Sequence, residues 1–169
     1  MYQTLPWNHR GWHCGSGSKG SGNNTHIGVE MCEPACIKYT SGANFTCSDT
    51  ATAKAVAKRT YEAAVELFAM LCRQYSLNPT ADGVIISHRE GHSRGIASNH
   101  GDPEHLWTQL GMGYTMDTFR QAVKAAMDGG SSAETSGYTK IMGNAVATAE
   151  QMETYIQGKN PQVLQSVLD

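Results

Sequence analysis

The stretch Ser87–Trp107 reads SHREGHSRGIASNHGDPEHLW, and its reading decides the fold and the function class. Side chains of metal-ligand or acid–base type crowd it, among them His88, Glu90, His92, His100, Asp102 and His105. It follows the apolar run Val84-Ile85-Ile86, which reads as a buried strand over 83–87. A strand that delivers a His at its end, followed by a Gly-rich loop with further ligand-type residues, is a common way of building a hydrolytic zinc site. Zinc takes His nitrogen, Cys sulfur and carboxylate oxygen, and a catalytic site keeps one position for water.

The rest of the chain supplies a scaffold for such a site. His26–Met31 alternates as a strand does, with Ile27, Val29 and Met31 on one face and Glu30 on the other. A short strand is expected near Tyr2–Leu5, with loops after it and again over 33–48. Thr50 to about Ser76 is the clearest helix, capped by Ser48 or Asp49 and closed by Asn78-Pro79. A second helix is expected over Met116–Asp128, ended by Gly129-Gly130. Leu106 and Trp107 are expected to pack their loop onto the core. Strands alternating with helices predict an α/β fold, a central mixed β-sheet flanked by helices.

Composition narrows the alternatives. With 40% hydrophobic residues the chain can build a core, and no apolar run reaches the length of a membrane span. A formal charge of −2 gives no basic face for nucleic acid. Five cysteines exclude a fully paired disulfide framework, although one bridge is compatible with an oxidising compartment. Cys32 and Cys36 have no second Cys/His pair at finger spacing. The start, Met1–Trp7, has neither the basic region nor the apolar core of a signal peptide.

Three segments occur in order: Arg10-Gly11-Trp12-His13-Cys14-Gly15; Gly22-Asn23-Asn24-Thr25-His26-Ile27-Gly28-Val29-Glu30; and His88-Arg89-Glu90 with Asn99-His100-Gly101-Asp102-Pro103. Together they resemble the zinc-dependent N-acetylmuramoyl-L-alanine amidases of type 2, related to phage endolysins and peptidoglycan recognition proteins, over residues 2–128. The resemblance implies zinc as cofactor, His88 and Asp102 as its ligands, and Glu30 as the general base. It implies His100 as the stabiliser of the oxyanion, and Trp12 and His13 as the residues that contact the sugar or stem peptide. The implied substrate is peptidoglycan, cut between N-acetylmuramic acid and L-alanine. The implied place of action is the cell wall or extracellular space, or the cytoplasm until phage-mediated lysis. His9, His26, His92 and His105 are read as structural or surface residues.

The chain departs from the family pattern in one respect. A further zinc His, at the end of a first core strand in a context such as Ile-His-His-Thr, has no counterpart in it, so the domain over 1–128 is expected to lack its first strand or strands. Two ligands make a weaker site than three, and this raises the alternative of a muropeptide-binding module without catalysis. A third class, a cytosolic zinc regulator built on Cys32 and Cys36, would hold metal without His88 and Asp102. Residues 129–140 read as a linker. Residues 141–169 resemble the helical opening of a glucosaminidase-type lytic domain that stops short of its catalytic carboxylate.

Overall fold

The computed structural model describes residues 1–129. The linker and glucosaminidase-like segment expected after residue 128 therefore lie, from residue 130 on, outside the described residues. Four helices follow one hairpin in the chain: β1 (Ile37–Ser41), β2 (Asn44–Cys47), α1 (Thr50–Gln74), α2 (His88–Ser93), α3 (Glu104–Gln109) and α4 (Met116–Gly129). A single 3-10 turn, Gly22–Asn24, precedes the hairpin.

Helix α1 begins where Asp49 caps it. The Asp49 carboxylate accepts from the Thr52 amide at 2.9 Å and from the Thr52 hydroxyl at 2.7 Å. These bonds hold the Asp49 carboxyl below its ordinary range. The helix ends in a Schellman turn: Leu77 N–H donates to Cys72 O at 2.8 Å and Ser76 N–H to Arg73 O at 3.3 Å. The turn places Ser76 at φ 53°, in the left-handed region.

One face of α1 lies against α4, and the core forms where they meet. Tyr61, Ala64 and Cys72 pack with Ile85, Trp107, Met116, Phe119 and Val123. Aromatic rings supply most of the contact: Tyr61 stacks on Tyr114 at 4.1 Å and meets the edges of Phe119 and Trp107 at 5.3 and 5.5 Å. Trp107 is 1% exposed, so Leu106 and Trp107 do fasten their segment to the core as expected.

The sheet differs from expectation. Among the described residues it has two antiparallel strands, β1 and β2, with Ile37 opposite Cys47 and Tyr39 opposite Phe45. These lie within 33–48, where a loop was expected, while 2–5, 26–31 and 83–87 form no strand. The α/β character holds, but a central mixed sheet is not formed among these residues. Side chains have taken the place of ladder partners. His26 donates to Gly83 O at 3.0 Å, Arg120 Nε to Ile85 O at 2.9 Å and Thr60 to Cys32 O at 3.2 Å, while the Glu90 carboxylate accepts from Ser87 N at 3.1 Å. Residues 27–32 nonetheless keep the strand period in burial: Ile27, Val29 and Met31 are half-buried, while Gly28, Glu30 and Cys32 are exposed. The sequence pattern identified the faces correctly and the hydrogen bonding wrongly.

Gln109 of α3 bonds the hairpin backbone at two points. Gln109 Oε1 accepts from Phe45 N at 3.1 Å, and its Nε2 donates to Ala43 O at 2.7 Å. The hairpin's inner residues Ile37 and Phe45 pack on Ala53, Ala57, Leu106 and Leu110.

The left-handed Ser76 is a non-glycine residue in a glycine position. Ser76→Gly is expected to stabilise the fold by about 0.5–1 kcal/mol, the release of Cβ strain exceeding the added chain entropy. Urea unfolding of the two proteins checks this through a raised midpoint at unchanged slope.

Candidate active site

Ser87 sets the position of the site's first His. Its hydroxyl accepts from Glu90 N at 3.0 Å while the Glu90 carboxylate accepts from Ser87 N, a complete capping box for α2. His88 is therefore the first residue of a short helix rather than the last of a strand. Glu90, one of the ligand-type residues in the sequence, is committed elsewhere: it caps α2 and forms an ion pair with Arg120 of α4.

His88 has its ring buried to 14% exposure, with Nε2 3.0 Å from the Ser98 hydroxyl and Nδ1 3.5 Å from Asp102 Oδ2. The Ser98 hydroxyl reaches Cys14 O at 3.3 Å, so with that bond donated Ser98 accepts from His88 Nε2–H. Nδ1 is then the ring nitrogen that faces the Asp102 carboxylate. The His100 ring lies 4.6 Å from that of His88, centroid to centroid.

The N-terminal loop folds over this pair around Asn23, which is 2% exposed. Its Oδ1 accepts from His13 N at 2.8 Å and Cys14 N at 2.9 Å, and its Nδ2 donates to Gly15 O at 3.0 Å. His13 Nε2 donates to His26 O at 3.2 Å, and burial pushes the His13 imidazole below its ordinary range. Gly28 is required here, since a Cβ on it would come within 2.3 Å of His13 Cγ. Trp12 stands 77% exposed, with the Arg10 guanidinium 5.2 Å from its ring centroid.

Trp12, His13, Glu30, His88, His100 and Asp102, the six residues expected to form the site, all line one cavity of about 1720 Å³. That exceeds the roughly 300–1,000 Å³ of ordinary small-molecule pockets. A cluster that the sequence did not reveal lines it too. Tyr39 OH donates to Glu33 at 2.6 Å and accepts from His105 Nε2 at 2.7 Å, and His105 Nδ1 is buried without a partner. Burial and Glu33 push the Tyr39 phenol well above its ordinary range. No sequence signal could have found this group, because Tyr39 and His105 are 66 residues apart and meet only through the hairpin.

Whether the residues fit a zinc ion can be judged from this geometry. Two ligands about 2.0–2.1 Å from a tetrahedral zinc lie about 3.3 Å from each other. His88 Nδ1 and Asp102 Oδ2, at 3.5 Å, are close to that spacing. They fit as two protein donors, with Ser98 holding the far nitrogen of the His. Among the described residues no group of three or more His, Cys, Asp or Glu side chains is assembled as a metal site.

Comparison with known proteins places this chain in a family. Residues 1–105 match the family model for N-acetylmuramoyl-L-alanine amidase, and the chain belongs to that family. Over 35 residues it is 51% identical to the N-acetylmuramoyl-L-alanine amidase CwlH of Bacillus subtilis (strain 168), covering 21% of this chain and 14% of that protein. It is 57% identical over 35 residues to the amidase XlyA of the same organism, covering 21% of this chain and 11% of XlyA. The matched stretch thus spans a small part of either relative. No solved structure matches significantly.

Glu104 lies behind the site, where it braces Ser87. Its Oε1 accepts from the Ser87 hydroxyl at 3.0 Å, and its Oε2 is buried without a partner. Burial raises its carboxyl above the ordinary range. A carboxyl raised on folding stabilises the fold below its unfolded pKa, and that contribution is lost as pH rises through the folded value. Glu104→Gln keeps an acceptor for Ser87 and removes the charge. It is expected to be more stable than the wild type at pH 7, with the advantage vanishing below about pH 4. Unfolding midpoints measured from pH 4 to pH 8 check the sign.

Proposed function

We propose that this chain is a peptidoglycan hydrolase that cleaves the amide between N-acetylmuramic acid and L-alanine. The observation that carries this reading is the meeting, in one cavity, of the His88–Asp102 pair with Glu30, His100, Trp12 and His13. His88 and Asp102 would hold zinc. The chemistry zinc supplies there is Lewis-acid polarisation of the scissile carbonyl and of a water. Glu30, exposed on the cavity wall, takes the proton of the attacking water and passes it to the alanine nitrogen as the C–N bond breaks. His100 donates to the oxygen on which negative charge develops. Trp12 offers an exposed ring for a sugar face, and His13 lines the same wall. Such an enzyme works at the cell wall or in the extracellular space, or is held in the cytoplasm until phage-mediated lysis.

One observation favours a second reading. His88 and Asp102 are not joined by a third donor among the described residues, which suits a module that holds a muropeptide without cutting it. The experiment that separates the readings is release of stem peptide from purified peptidoglycan, measured with zinc content. The amidase reading expects about one equivalent of zinc, lost in His88→Ala. It expects Glu30→Gln to retain the metal and lose activity by roughly 10²–10⁴-fold. Saturable peptidoglycan binding with no zinc and no released peptide would establish the binding module instead.

A further inference from the structure

Cys36 and Cys47 stand at the base of the hairpin, one on each arm. Ile37 pairs with Cys47, and Ser48 N–H donates to Cys36 O at 3.0 Å, so the two cysteines are diagonal neighbours across the ladder. Both side chains pack on the cluster of Ala53, Ala57, Leu106 and Leu110. Cys36 Sγ donates to Asp49 O at 3.4 Å, beside the cap of α1. Opposite residues of an antiparallel pair lie about 4.5–5.5 Å apart, and one further step adds a rise of about 3.4 Å, which brings adjacent-rung Cα atoms to about the 4.4–6.8 Å that a disulfide requires. The other cysteines are placed differently: Cys72 is buried in the main core, Cys14 is held by Asn23, and Cys32 is exposed.

We propose that Cys36 and Cys47 are a disulfide-forming pair that closes the base of the hairpin, just before α1, when the protein meets an oxidising medium. An oxidised small-molecule disulfide such as oxidised glutathione accepts the electrons. The Cys36 thiolate attacks it and releases one small thiol. The Cys47 thiolate then displaces the second, forming the S–S bond. Two protein thiols thus lose two protons and two electrons, and one small disulfide becomes two thiols. The consequence reaches the cavity, because the hairpin carries Tyr39, which holds His105 and Glu33 on the cavity wall. A two-stranded hairpin has little stability of its own, so closing its base acts on an element that needs it. Burial and the neighbouring Cys47 sulfur raise the Cys36 thiol above its ordinary range, so oxidation is expected to quicken as pH rises.

The test uses the full chain, equilibrated with reduced or oxidised glutathione. Thiol titration under denaturing conditions is expected to fall from five free thiols to three. Proteolytic mapping without reductant should join the Cys36 and Cys47 peptides. The unfolding midpoint should rise by roughly 5–10 °C, as for a bridge closing a loop of about this length. Cys32→Ser should leave this unchanged, and Cys36→Ser or Cys47→Ser should abolish it. A titre that stays at five, or a map that joins Cys36 to Cys32, overturns the proposal. Mapping the wild-type chain decides the matter even if a serine variant fails to fold. The outcome is independent of whether the chain cleaves peptidoglycan.

Discussion

The constraint on which the site depends is the capping box at Ser87. One hydroxyl accepts from Glu90 N and donates to Glu104, while the Glu90 carboxylate closes back on Ser87 N and pairs with Arg120. Arg120 also bonds Ile85 O, so one guanidinium ties α4, the apolar run and the start of α2 together. The direction of the His88 ring follows from this junction. The histidine is aimed by polar contacts whose far partners, Glu90, Glu104 and Arg120, stand off the cavity wall, beside the aromatic packing of Tyr61, Trp107 and Phe119.

Two regions with different physics meet at the cavity. On one side the helices α1 and α4 bury apolar surface and need no fine hydrogen bonding. On the other, residues 10–33 have little regular structure and are held by discrete polar anchors. Asn23 serves two amides and a carbonyl, and His26 reaches across to Gly83. Each anchor replaces part of what a sheet ladder would supply. The loop side can therefore present Trp12, His13 and Glu30 to the cavity with side-chain freedom that a strand would restrict.

The sequence made some of this legible and hid the rest. Helix periodicity located α1 and α4 within two residues, because an apolar stripe reports burial directly. The alternation over 27–31 gave the correct faces for Ile27, Val29 and Glu30. It could not reveal a partner strand, since pairing is non-local and period two reports only exposure. The apolar run Val84-Ile85-Ile86 reads as a strand, yet Arg120 takes the Ile85 carbonyl and the capping box takes the amide of Ser87 that follows it. The Ser87-x-x-Glu90 pattern is itself a helix-start signature, which the density of ligand-type residues overshadowed. The hairpin at 37–47 was hidden by a turn, Ser41–Asn44, set among weakly patterned polar residues. With it went the Glu33–Tyr39–His105 cluster, which no local pattern encodes.

The docking of the hairpin by Gln109 has a consequence for how the protein ages. The side-chain amide behaves as a peptide group from an extra strand, giving its carbonyl to Phe45 N and its NH2 to Ala43 O. Hydrolytic deamidation would keep the carbonyl and exchange the donor for a carboxylate oxygen facing another carbonyl. A single slow covalent change, with a mass difference of about one dalton, would thus turn the hairpin's clasp into a repulsion without altering any residue of the cavity.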